Sequence, residues 1–143
     1  EIRDHVRTIM TTIGKPLHDA DSPKTLIRAI LHAMIGYYNL LERGWKHRDV
    51  SVGNVLLLKT PEKRDAVTTC TKSNVCMGML IDGDQAVNWP QNNIPPEKRR
   101  SGTPQFMSTH ILAAWVRGKE QVHTVLDDLE SFVWVLIWSV MRI

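Results

Sequence analysis

Apolar positions recur at helical spacing through Leu26, Ala29, Ile30, Ala33, Met34, Tyr37, Leu40 and Leu41. Ser22-Pro23 precedes this run, a capping hydroxyl with proline at the first helical position. Gly44 follows it and suits a left-handed cap. Ile27, Leu31 and Ile35 widen the stripe, so the pattern predicts a long helix buried over much of its surface. Upstream, residues 6–13 are rich in β-branched side chains and predict an extended strand, which Gly14-Lys15-Pro16 ends by opening a polar loop.

Downstream, residues 54–58 and 77–81 are short apolar runs that predict two strands paired as a hairpin. The polar stretch between them, within residues 59–76, reads as an exposed inserted loop carrying Pro61, a charge cluster and a Thr-rich tract. Residues 85–100 hold three prolines and predict a loop. Residues 110–116 predict a short helix closed near Gly118. Asp127 begins a final helix, its carboxylate suited to the positive N-terminal end. The fold class expected is mainly α with a small β-hairpin.

At 143 residues the chain is long enough for one domain with its own core. It begins at Glu1 and reads as a piece of a longer protein. With 43% hydrophobic and 23% charged residues it is an ordinary globular mixture. The formal net charge of +3 comes without an aromatic-interleaved basic stripe, which argues against nucleic acid as a partner. Residues 132–140 are apolar apart from Ser139 but fall far short of the ~20 residues that span a membrane, so they read as a buried helix. Cys70 and Cys76 lack zinc-ligand spacing. They read as free thiols of a reducing compartment, which implies an intracellular, cytoplasmic or nuclear, location.

Candidate chemistry gathers in His47-Arg48-Asp49-Val50-Ser51-Val52-Gly53-Asn54, where an Asp and an Asn five residues apart open an apolar strand. Phosphoryl transfer needs a carboxylate beside the attacking hydroxyl and hard oxygen donors for Mg²⁺. Read locally, Asp49 is a base or a loop cap, and Asn54 a metal ligand or a backbone-bonding turn residue. Met79-Leu80-Ile81-Asp82-Gly83-Asp84 is an apolar run ending in carboxylates. Asp82 is a metal ligand or a strand-end cap, and Asp84 either a second ligand or a turn former.

These motifs, with Ser101-Gly102-Thr103-Pro104-Gln105-Phe106-Met107 and Asp127-Asp128-Leu129-Glu130-Ser131, follow one another in the order of a protein kinase. The set resembles the fungal-type protein kinase family, whose members carry H-R-D-x-S-x-x-N, I-D-x-D, G-T-x-x-F-M-S and D-D-L-E-S. Residues 12–17 also resemble that family just after its hinge. The resemblance implies a kinase-like C-terminal lobe, part of an α+β kinase fold. Residues 1–143 would be a partial domain, with the N-terminal lobe and the last helices lying outside it. It implies Asp49, Asn54 and Asp82 as catalytic residues, with Asn54 and Asp82 as the ligands of Mg²⁺ and contacts of ATP. It implies structural support from His47 and Arg48, from Thr103 bonded to Asp49, and from Asp128 holding loop N–H groups from below. Asp128 read locally is a helix N-cap. Residues 6–13 would hold the hinge that meets adenine. Ser101 and Thr103, after Lys98-Arg99-Arg100, are candidate phosphorylation sites.

Three features depart from the common kinase pattern. Gly83 replaces an aromatic, His110 replaces a glutamate, and no Gly-rich loop, strand lysine or partner glutamate precedes the hinge. Without those parts the chain by itself is expected to bind ATP weakly. Ser51 stands where many Ser/Thr kinases carry a lysine. The function implied is ATP-dependent phosphorylation of protein Ser or Thr hydroxyls, with ATP and a protein substrate as partners and neither nucleic acid nor membrane. The alternative is a catalytically inactive pseudokinase or interaction module. A small-molecule kinase of the aminoglycoside or choline type shares H-x-D-x-x-x-x-N but is disfavoured by residues 102–107 and 127–131.

Overall fold

The computed structural model describes residues 11–63, 74–88 and 101–142. Helix α1 (Pro23–Glu42) begins where Ser22 Oγ accepts the Thr25 N–H at 3.2 Å and ends before Gly44, which has φ 81°. Leu26, Ala29, Ile30, Ala33 and Tyr37 are buried on one side of it. Ile27 and Leu31 are 54% and 51% exposed, so the buried stripe is narrower than the sequence predicts.

Gly14-Lys15-Pro16, expected to open a loop, instead forms strand β1 (Gly14–Pro16). It pairs antiparallel with β3 (Val55–Lys63), which also pairs with β4 (Val75–Leu80), giving a three-stranded sheet in the order β1-β3-β4. An edge strand tolerates Pro16 because its missing N–H is not needed inside the ladder. β3 runs on past residue 58 because backbone pairing of Glu62 with Cys76 and Lys63 with Val75 extends the ladder beyond its apolar part. Residues 64–73, the middle of the expected insertion, lie outside the described residues, as do residues 6–10 of the expected first strand. A second two-stranded ladder joins β2 (Trp45–Lys46) to β5 (Val87–Asn88). The start of the expected 85–100 loop is therefore paired, while residues 89–100 lie outside the described residues. The architecture is mixed α and β rather than helices with one hairpin.

β4 lies directly on α1 at Gly78, where an added Cβ would stand 2.0 Å from the Ala29 carbonyl oxygen. Helix α2 (Thr109–Val116) is capped by Ser108, whose Oγ accepts the Ile111 N–H at 3.1 Å. Helix α3 (Val125–Val140) starts two residues before Asp127, because the Asp127 carboxylate accepts both the N–H and the hydroxyl of Thr124. That makes Asp127 the third helical residue of a capping box rather than the first. Phe132 and Val135 enter the core, where the Phe132 ring meets Tyr37 at 5.8 Å between centroids. Val133 and Ile137 are 53% and 41% exposed, so α3 is buried on one face only. No helix among the described residues is long and apolar enough to cross a membrane.

The contact at Gly78 generates a paired prediction. Gly78→Ala should destabilise the protein by about 1–3 kcal/mol, because a helix backbone cannot yield as a side chain would. Gly36→Ala, on α1 with nothing within 4 Å of the new methyl, should stabilise it by about 0.5–1 kcal/mol. Urea unfolding of the two variants beside the parent checks both signs.

Candidate functional site

A fully buried carboxylate organises the loop that follows β2. Asp128, in the first turn of α3, is 0% exposed. A buried charge is tolerable only when hydrogen bonds replace its water. Asp128 accepts the His47 N–H at 3.0 Å, the Arg48 N–H at 2.9 Å, the Tyr37 hydroxyl at 2.8 Å and a bond from His123 Nε2 at 3.0 Å. Burial, and then the Asp128 charge, pushes the Tyr37 hydroxyl far above its ordinary value. Burial pulls the Arg48 guanidinium down, opposed by Asp128. Arg48 holds φ 72°, a left-handed conformation that costs a non-glycine residue about 1–2 kcal/mol. The two consecutive N–H groups it aims at one carboxylate offset that cost.

His47 ties the loop to the sheet. Its Nδ1 accepts the Asp49 N–H at 3.3 Å, and its Nε2 lies 3.0 Å from the Ile81 carbonyl. A backbone N–H can only donate, so Nδ1 is unprotonated and Nε2 carries the hydrogen that Ile81 accepts. The Ile81 N–H in turn donates to the Asn54 carbonyl at 2.9 Å. Ile81 is thus bonded to the loop through both of its peptide groups.

Asp49 and Asn54 meet directly. Asn54 Nδ2 donates to the Asp49 carbonyl at 2.8 Å and to Asp49 Oδ2 at 3.2 Å. Asp49 Oδ1 accepts both the N–H and the hydroxyl of Thr103, at 2.9 and 2.8 Å. Gly102, at φ 111°, allows this approach: a Cβ there would stand 3.0 Å from the Arg48 carbonyl. Asp82 follows Ile81 at φ 62°, is exposed, and does not cap the turn that follows with its side chain. Among the described residues, Arg48 and Asp82 are the only non-glycine residues with positive φ, and both flank this loop. Asp84 lies exposed in the 3₁₀ turn Gly83–Gln85, and a Cβ at Gly83 would meet only Ala86, at 3.9 Å. Arg48 reaches the Gln85 carbonyl at 3.5 Å.

The donor chemistry fits a hard cation. With Nδ2 committed to Asp49, Asn54 has Oδ1 left to offer, and Asp82 offers an exposed carboxylate. No group of three His, Cys, Asp or Glu side chains gathers for a metal among the described residues. An ion held by one amide, one carboxylate and non-protein oxygens matches the habit of Mg²⁺.

Sequence reasoning brought Asp49, Asn54, Thr103, His47 and Asp128 to one place. It missed that Tyr37, read as helix core, hands its hydroxyl to Asp128, and it gave His123 no role. Tyr37 carried a faint signal, since a buried tyrosine needs a partner for its hydroxyl. His123, in the irregular segment before α3, carried none. Lys46, 4% exposed, is a third such residue, with its Nζ donating to the His123 carbonyl. Asp127 also accepts the Ser108 hydroxyl. Burial pushes the Asp127 carboxyl up, but the bonds from Ser108 and Thr124 outweigh it and hold it below the usual carboxylate range.

Comparison with protein families finds a match to the model described as fungal protein kinase over residues 1–140. Comparison with curated proteins finds no match.

Two predictions follow from the buried carboxylates. Asp128→Ala strands loop donors in the interior and should cost about 3–5 kcal/mol, whereas Tyr37→Phe removes one donor and should cost about 1.5–3 kcal/mol. Equilibrium denaturation of both variants checks the ranking. The folded pKa of Asp127 lies below its unfolded value of about 3.9. Its carboxylate therefore stabilises the fold above that pH, and the contribution is lost as pH falls through the folded value. Ser108→Ala removes one donor, narrows the gap and should move the acid-unfolding midpoint to higher pH in a circular-dichroism titration.

Proposed function

We propose, from the premise that this chain belongs to the fungal protein kinase family, that its site transfers the γ-phosphoryl group of ATP to a Ser or Thr hydroxyl of a protein. The observation that supports this reading best is the state of Asp49. Its Oδ1 is doubly bonded by Thr103, while Oδ2 accepts a single longer bond from Asn54. One oxygen is anchored and the other keeps capacity to accept a substrate proton. A general base must be fixed in direction yet free at the accepting atom.

In this reading Asp49 Oδ2 accepts the hydrogen bond of the attacking hydroxyl, aligns it, and takes its proton as the new O–P bond forms and the bond from the γ-phosphorus to the β,γ-bridging oxygen breaks, leaving ADP. Thr103 fixes the carboxylate rotamer and joins the segment after Gly102 to the base. His47 holds the Ile81 carbonyl, and so the backbone entry to Asp82. Asn54 Oδ1 and Asp82 would hold Mg²⁺, which when bound neutralises developing charge on the phosphate oxygens. Positioning and electrostatics then supply most of the catalysis, as phosphoryl transfer allows. A second reading is a non-catalytic interaction module; Ser51, 5% exposed, brings no charge to the loop, but a serine there belongs to the family pattern and does not by itself favour that reading.

The two readings separate in one assay. Full-length protein should transfer labelled γ-phosphate, and Asp49→Asn should lower kcat by about 10²–10⁴-fold in protein that is still folded by circular dichroism. Equal turnover by the two proteins would remove Asp49 from the mechanism, and no turnover by either would favour the interaction module.

A further inference from the structure

Outside the kinase motifs, one closed circuit of hydrogen bonds runs through His123. Lys46 immediately precedes the loop and donates through Nζ to the His123 carbonyl. The His123 ring donates through Nε2 to Asp128 Oδ1, which itself accepts the Arg48 N–H at 2.9 Å. Arg48 is two residues from Lys46, so backbone and side chains close a ring. All four members are buried: Lys46 at 4% exposure, Arg48 at 1%, His123 at 7% and Asp128 at 0%. His123 also lines, with Asp49, Thr103 and Ser108, a small cavity behind the loop.

We infer that His123 is a positioning residue for phosphoryl transfer, an inference that rests on the reading of Asp49 as the base. Its Nε2–H fixes the Asp128 oxygen that receives the Arg48 amide. The strained Arg48 peptide sets the direction of Asp49, its neighbour in the chain. Lys46 holds the His123 backbone so that the ring keeps its bond to Asp128. An imidazole fits this task because it places a donor at a set distance on a rigid ring. The segment between α2 and α3 therefore acts on the reacting groups through Asp128 without touching substrate.

The test assays full-length wild-type protein, His123→Phe, His123→Gln, Lys46→Met and Asp49→Asn below their melting temperatures, with folding followed by near-ultraviolet circular dichroism. His123→Phe keeps the volume and loses the donor. It should leave KM for ATP and for the protein substrate within about twofold while kcat falls about 10–100-fold. His123→Gln, whose amide N–H falls near the position of Nε2, should recover most of that loss. Lys46→Met should lower kcat in the same way. Wild-type kcat in folded His123→Phe overturns the inference, and so does an equal loss in folded His123→Gln, which would assign the effect to packing. If His123→Phe does not fold, Lys46→Met decides: a fall in kcat with KM held supports the inference and an unchanged kcat overturns it. Asp49→Asn separates the two claims, because its full activity would remove Asp49 as the base whatever the His123 variants do.

Discussion

The Asp128 carboxylate is the constraint from which the site is built. An ionised group with no exposed surface survives only if donors surround it. Here the donors come from α1 through Tyr37, from the loop through two peptide N–H groups, and from the segment before α3 through His123. The elements those donors belong to are therefore fixed relative to α3. A neutral acceptor would bind fewer donors more weakly, and the left-handed turn at Arg48 would lose what holds it. The loop conformation is a consequence of where α3 presents its first-turn charge.

From that anchor, order passes outward to Asp49 and Asn54. Arg48 is pinned, so the Asp49 backbone is set; Thr103 then fixes the Asp49 side chain and Asn54 bridges its carbonyl and carboxylate. On the sheet side, His47 and Asn54 share Ile81 between them, which anchors the peptide immediately before Asp82. Two glycines make the close approaches possible. Gly102 lets the Thr103 segment reach the loop, and Gly78 lets β4, which leads to Asp82, press on the α1 backbone. The strained positions, Arg48 and Asp82, lie where a site spends conformational energy on direction.

The sequence made legible whatever depends on local pattern. The α1 caps, the short helix after Ser108 and the two apolar strands all follow from spacing and capping chemistry. The kinase-like motifs named the loop residues that the fold brings together. What stayed hidden depends on partners distant in the chain. Strand β1 exists because β3 offers an edge, and nothing within Gly14-Lys15-Pro16 announces it. Ile27 and Leu31 read as core by composition, yet burial is decided by which side of α1 has neighbours. His123 lies outside every periodic run, and its partner became visible only once Asp128 was seen buried.

Charge balance accounts for why these pieces act together. Lys46 and Arg48 bring two buried cations close to the buried carboxylates Asp127 and Asp128. Burial pulls the Lys46 ammonium down and Arg48 adds to the effect, while the two aspartates oppose both. Lys46 donates to a carbonyl, and the described bonds of the two carboxylates go to hydroxyls, peptide N–H groups and an imidazole. Attraction among the four charges acts through the low-dielectric interior. Removing any one charge leaves an uncompensated excess that the remaining three all feel, so substitutions here should be strongly non-additive. The same coupling makes the loop a cooperative unit, in which Asp49, the segment beside it and the start of α3 hold their places together.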